Sequence, residues 1–124
     1  MHKDYIKIVK AKFGAALQAA LPEFYLSRLQ RKANGGRLYQ SSPRVDLTLF
    51  IILIIHDNAD EFNLNIGFSR DGLCPEEAFF LSPVDTLALP PEEFTPKIDA
   101  LIADAVKELK QYAVPYFETL RKLT

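Results

Sequence analysis

Residues 47–55 read Leu-Thr-Leu-Phe-Ile-Ile-Leu-Ile-Ile, and residues 61–69 read Glu-Phe-Asn-Leu-Asn-Ile-Gly-Phe-Ser. The second segment alternates strictly. Phe62, Leu64, Ile66 and Phe68 take one side, and Glu61, Asn63, Asn65, Gly67 and Ser69 take the other. A period of two is the pattern of a strand with one buried and one polar face. The first segment, extended to residues 45–56, places Val45, Leu47, Leu49, Ile51, Leu53 and Ile55 on one side. Asp46, Thr48, Phe50, Ile52, Ile54 and His56 fall on the other. Its second half is apolar on both sides, which predicts a central strand covered on both faces. The apolar run is too short to cross a bilayer, which takes ~20 residues.

The rest of the chain fits around this pair. Residues 37–42 suit a short strand, followed by a turn at Ser42-Pro43, and residues 57–60 suit a turn between the two longer strands. Ile6, Val9, Phe13, Leu17, Ala20 and Phe24 recur at helical spacing and predict a first helix, with Asp4 as its N-cap. Lys3, Lys7 and Lys10 share another face of it. The plain reading of that face is solvated charge; the alternative is a patch for an acidic partner or for the chain's own acidic block. Pro22 interrupts the helix. Residues 23–32 are mostly good helix formers, and a second helix is the preferred reading there. A strand over residues 24–31, with Asn34-Gly35 as a hairpin turn, competes with it.

Residues 71–95 lack a clear period and read as a long loop, in which residues 76–81 suit a helical turn. Thr95 is then a cap and Pro96 a first-turn residue of a long final helix. Ile98, Leu101, Ile102, Ala105, Val106 and Leu109 form its stripe, extended by Phe117 and Leu120. Pro115 must kink or restart it. The expectation is one α+β domain over residues 1–124: an antiparallel β-meander packed against N-terminal and long C-terminal helices. Both helices should lie on one sheet face, leaving Asn63, Asn65, Ser69, Thr48 and Asp46 on the other.

Charge is divided along the chain. Residues 1–44 hold nine basic side chains against Asp4 and Glu23. Residues 45–96 hold ten acidic ones against Arg70 alone. Such a division bears on association and steering rather than on fold. The lone Cys74 excludes an intramolecular disulfide, and with lysines interleaved in the first apolar stretch no signal pattern is expected there. A cytoplasmic location is expected.

No motif names a reaction. Cys74 and His56 are the only thiol–imidazole pair to weigh, and the expected strand between them, which would span roughly 30 Å, could place them at its opposite ends. Two histidines and one cysteine cannot build a structural zinc site, and the Asp57, Asn58, Asp60, Glu61 group lacks calcium-loop spacing. Asn34-Gly35-Gly36 has no following helix to bind phosphate, and the acidic half opposes nucleic acid. The Glu76/Glu77 and Glu92/Glu93 doublets read as solvated charge. No catalytic residue, metal site or cofactor is therefore assigned.

The segments at 37–42 (RLYQSS), 47–55 (LTLFIILII) and 61–69 (EFNLNIGFS) together resemble a bacterial family classed as a domain of unknown function, number 4304. The resemblance covers the first two-thirds of the chain. It implies a first helix and a short hairpin ahead of the alternating strand. It implies no activity and carries over no functional residues.

The leading expectation is a small protein-binding module, of the immunity-inhibitor type, with a basic protein as partner. Asp57, Asp60, Glu61, Asn63, Asn65, Glu76 and Glu77 would supply charge and polar contacts, and Phe79 and Phe80 the buried anchors. Two alternatives stand beside it. One is a small-molecule or enzymatic domain with a pocket between the sheet and the 71–95 loop, using Asn63, Asn65, Tyr39, His56 and Arg44. The other is a homo-oligomeric subunit, for instance a homodimer through a sheet edge or through Tyr112, Tyr116 and Phe117.

Overall fold

A computed structural model describes residues 2–28, 37–56, 61–69, 76–81 and 89–122. Helix α1 spans His2–Ala20. Five strands follow: β1 at Tyr25–Leu26, β2 at Arg37–Arg44, β3 at Leu47–His56, β4 at Glu61–Ser69 and β5 at Glu76–Leu81. Helix α2 spans Pro91–Glu108, a π-helical turn occupies Leu109–Ala113, and α3 spans Val114–Lys122. The strands pair antiparallel in chain order, β1-β2-β3-β4-β5. This is the expected α+β meander with helices at both ends of the chain.

The alternation in β3 and β4 sets the layers. Ile51 pairs with Ile66, Leu53 with Leu64 and Ile55 with Phe62, so their side chains share one face. On that face Leu47, Leu49, Ile51 and Leu53 are fully buried. They form one cluster with Val9, Phe13 and Leu17 of α1, Phe94, Ile98, Ile102 and Ala105 of α2, and Leu109, Ala113, Phe117 and Leu120 beyond it. All three helices therefore cover the same face of the sheet. Tyr5 meets Phe94, and Lys12 Nζ reaches Asp99 Oδ1 at 2.6 Å. These contacts advance together along both helices, so α1 and α2 run in the same direction.

The opposite face carries Ile52, Ile54 and Phe50 of β3 beside Leu38 of β2. Leu38 and Ile52 are buried there, which agrees with a central strand covered on both faces. Asn65 pairs with Ile52 and Asn63 with Ile54, so both amides lie on this second face, with Thr48 and Ser69.

Five local expectations change. Residues 25–26 form a strand, not a helix: Tyr25 pairs with Gln40, and the Ser27 N–H donates to the Leu38 carbonyl at 2.9 Å. The helix propensity of this segment yields to cross-strand pairing and to burial of Phe24 against Phe117, centroids 5.5 Å apart. Second, β2 continues to Arg44 through a register irregularity between Ser41 and Arg44, which accommodates Pro43. The turn is then Val45-Asp46, with Val45 fully exposed rather than on the apolar face. Third, residues 76–81 are strand β5, paired with β4, and not a helical turn. Fourth, α2 begins four residues before Thr95. Pro91 takes its first position, and the Glu93 and Phe94 N–H groups donate to the Pro90 carbonyl. Fifth, α1 already begins at His2, so Asp4 lies in its first turn and not at the cap.

Pro115 does restart the final helix. The Val114 N–H donates to the Leu109 carbonyl five residues back, which is the bond of a π turn. The widened turn lies just ahead of the proline.

Candidate functional site

A groove of about 800 Å³ lies between α1 and the β1–β2 edge of the sheet. Its helix wall consists of Lys7, Lys10, Ala11, Gly14, Ala15 and Gln18, which recur at three- and four-residue steps on one side of α1. This strip lies beside the buried Val9, Phe13 and Leu17 stripe. Small residues at positions 11, 14 and 15 leave the space open. The opposite wall is Tyr25 and Leu26 of β1 with Arg37 and Tyr39 of β2. Leu17, Pro22 and Phe24 complete the lining.

Gly14 sets the depth of the groove. A Cβ at this position would stand 2.9 Å from the Tyr39 hydroxyl oxygen. The Tyr39 ring is held by an edge contact with Phe13, centroids 5.8 Å apart, and the residue is only 8% exposed. Burial raises the pKa of this phenol above the usual tyrosine value, while the Arg37 charge pulls it the other way. At neutral pH the hydroxyl is therefore protonated and able to donate.

The predicted contact residues are not gathered here. Asp57 and Asp60 lie outside the described residues. Glu61 begins β4, and Glu76, Glu77, Phe79 and Phe80 fall on β5, the strand that ends the described sheet on the side away from β1. Asn63 is buried, and its Nδ2 donates to Asn65 Oδ1 at 2.9 Å. The polar set proposed for a pocket does not converge either. Tyr39 pairs with Ile51 and faces the helices, whereas Asn63 and Asn65 face the other way. Residues 71–75, including Cys74, and residues 82–88 of that loop lie outside the described residues. Among the described residues no group of three or more His, Cys, Asp or Glu side chains could hold a metal ion. No helix among them is long and apolar enough to cross a membrane.

The lysine face of α1 was visible in the sequence, but Arg37, Tyr39, Tyr25 and Gly14 were not joined to it. A glycine inside a strongly periodic helix was the available signal, because it costs about 1 kcal/mol against alanine and so points to a close approach. Comparisons with family models, curated proteins and solved structures found no match for this chain.

Proposed function

We propose that the chain is a small protein-binding module of the immunity-inhibitor type, which engages a basic partner through its acidic half. One observation carries this reading: the sheet order follows the chain order. The charge division along the chain therefore becomes a division across the sheet. The basic block supplies α1, β1 and β2. The acidic block supplies Glu61 at the start of β4 and the Glu76-Glu77 pair on β5, toward the sheet edge away from β1. A surface segregated in this way steers an oppositely charged protein and fixes its orientation at encounter.

The test uses two baits in parallel, the natural chain and a variant carrying Glu76→Lys and Glu77→Lys. Each is exposed to lysate of the cells that express the protein, at low and at high salt. A basic protein retained in stoichiometric amount by the natural bait, released by salt and absent from the reversed bait, is the expected result. Retention of the same protein by both baits, or of an acidic one, would sink the reading.

A further inference from the structure

We propose that the groove between α1 and the β1–β2 edge binds a small organic oxyanion, a phosphate or carboxylate group carried on an apolar body. This site is separate from the acidic half, and its occupancy does not depend on the protein-binding reading.

Charge is the first support. Arg37 stands on one wall and Lys7 and Lys10 on the other, and no carboxylate lines the groove among the described residues. A groove lined by one sign of charge concentrates the opposite sign. The guanidinium of Arg37 offers the planar fork that suits carboxylate and phosphate alike.

Tyr39 is the second. The residue is 8% exposed, its hydroxyl opens on the gap left by Gly14, and the hydroxyl makes no hydrogen bond to a described residue. A protonated phenol that opens on the groove is accessible as a hydrogen-bond donor to whatever occupies it. An oxygen of a bound anion would be its acceptor.

The remaining lining is the third. Leu17, Phe24 and Leu26 give the groove an apolar section beside the charged one. Its volume lies within the range of small-molecule sites, roughly 300–1,000 Å³. A bare inorganic anion would leave that section unused, whereas an oxyanion on an aromatic or aliphatic body would fill both.

The test is a fluorescence titration of the full chain with 8-anilinonaphthalene-1-sulfonate, an anion on an aromatic body, followed by displacement. Phenyl phosphate, benzoate and the uncharged benzyl alcohol serve as competitors. Displacement by phenyl phosphate or benzoate, but not by benzyl alcohol, is expected, and the stronger of the two identifies the head group. Arg37→Gln and Tyr39→Phe should each weaken binding about tenfold, the loss expected for a hydrogen bond to a charged group. Their circular dichroism and urea midpoints should stay close to those of the natural chain. Ala15→Leu, at an exposed position on the helix wall, should block the groove without disturbing the core. Absence of probe binding, equal displacement by benzyl alcohol, or unchanged affinity in all three variants would overturn the proposal.

Discussion

Tyr5 stacks face to face on Phe94, with ring centroids 3.8 Å apart and planes 3° from parallel, and its hydroxyl donates to the Leu89 carbonyl at 2.5 Å. The start of α1 is thereby fastened to the start of α2 and to the segment that leads into it. The ring and the hydroxyl make separable contributions. Tyr5→Ala removes both and leaves a cavity against Phe94, so it should cost about 3–5 kcal/mol in urea unfolding. Tyr5→Phe keeps the stack and should cost only about 1 kcal/mol, the net worth of one hydrogen bond. Equal losses in the two variants would show that the stack contributes nothing.

Gly14 and Tyr39 should prove coupled. In an exposed helix interior, glycine to alanine stabilises by about 0.5–1 kcal/mol. Here the new methyl group meets the Tyr39 hydroxyl at 2.9 Å, and that oxygen is the tip of a rigid, buried ring. Gly14→Ala alone should therefore gain nothing or destabilise. In a Tyr39→Phe background, where the hydroxyl is gone, the same change should recover its gain of about 0.5–1 kcal/mol. A double-mutant cycle on unfolding free energies measures the difference, and simple additivity would show that the contact is not felt.

The two phenols also predict how stability responds to alkali. Burial holds Tyr39 above the ordinary value, with Arg37 opposing, and burial followed by the Glu92 charge does the same for Tyr5. The unfolded chain releases each of these protons near the ordinary value of 10.0. Above that pH the folded state still holds protons the unfolded state has lost, so stability falls as pH rises. This contribution is fully present below about pH 10 and declines above it. Urea midpoints followed upward from about pH 9 should drop less steeply in the Tyr5→Phe, Tyr39→Phe double variant. Lysine ionisation is common to both proteins and cancels. Identical slopes would mean that neither phenol keeps its proton on folding.

Legibility in the sequence followed locality. The register of β3 and β4 could be read because each residue of 61–69 declares its face, and the structure pairs Ile51 with Ile66 as that alternation requires. Residues 25–27 could not be read in the same way. Their helix propensity is local, whereas the bond from Ser27 to Leu38 depends on a distant strand. Residues 76–81 hide their strand because Glu-Glu-Ala-Phe-Phe-Leu does not alternate, and it pairs through a register shift between Leu64 and Asn65. The start of α2 was signalled by Pro91 with Glu92 and Glu93 in the first turn, a signal equal in kind to Thr95-Pro96 and one turn earlier. The groove needed tertiary structure, because only folding brings Arg37 and Tyr39 to Lys7 and Gly14.

The π turn ahead of Pro115 makes the last prediction. Leu109, Ala113 and Phe117 are all buried and stand four residues apart twice over. On a regular helix two such steps carry the stripe about 80° away from the core. The π turn takes up the extra residue and returns Phe117 and Leu120 to the sheet. It also sets the place where Pro115, which has no N–H and crowds the preceding turn, is tolerated. Removing Tyr112, whose side chain is 55% exposed, should convert the turn to α-helix while keeping Phe117 and Leu120 on the core side. With Pro115 still present that deletion places a proline inside a regular helix and should cost about 3 kcal/mol. Combined with Pro115→Ala, the same deletion yields an uninterrupted helix and should be at least as stable as the natural chain. Urea unfolding of the two deletions decides it. If the combined variant is as unstable as the deletion alone, the extra residue is needed for packing around Tyr112 rather than as an accommodation of the proline.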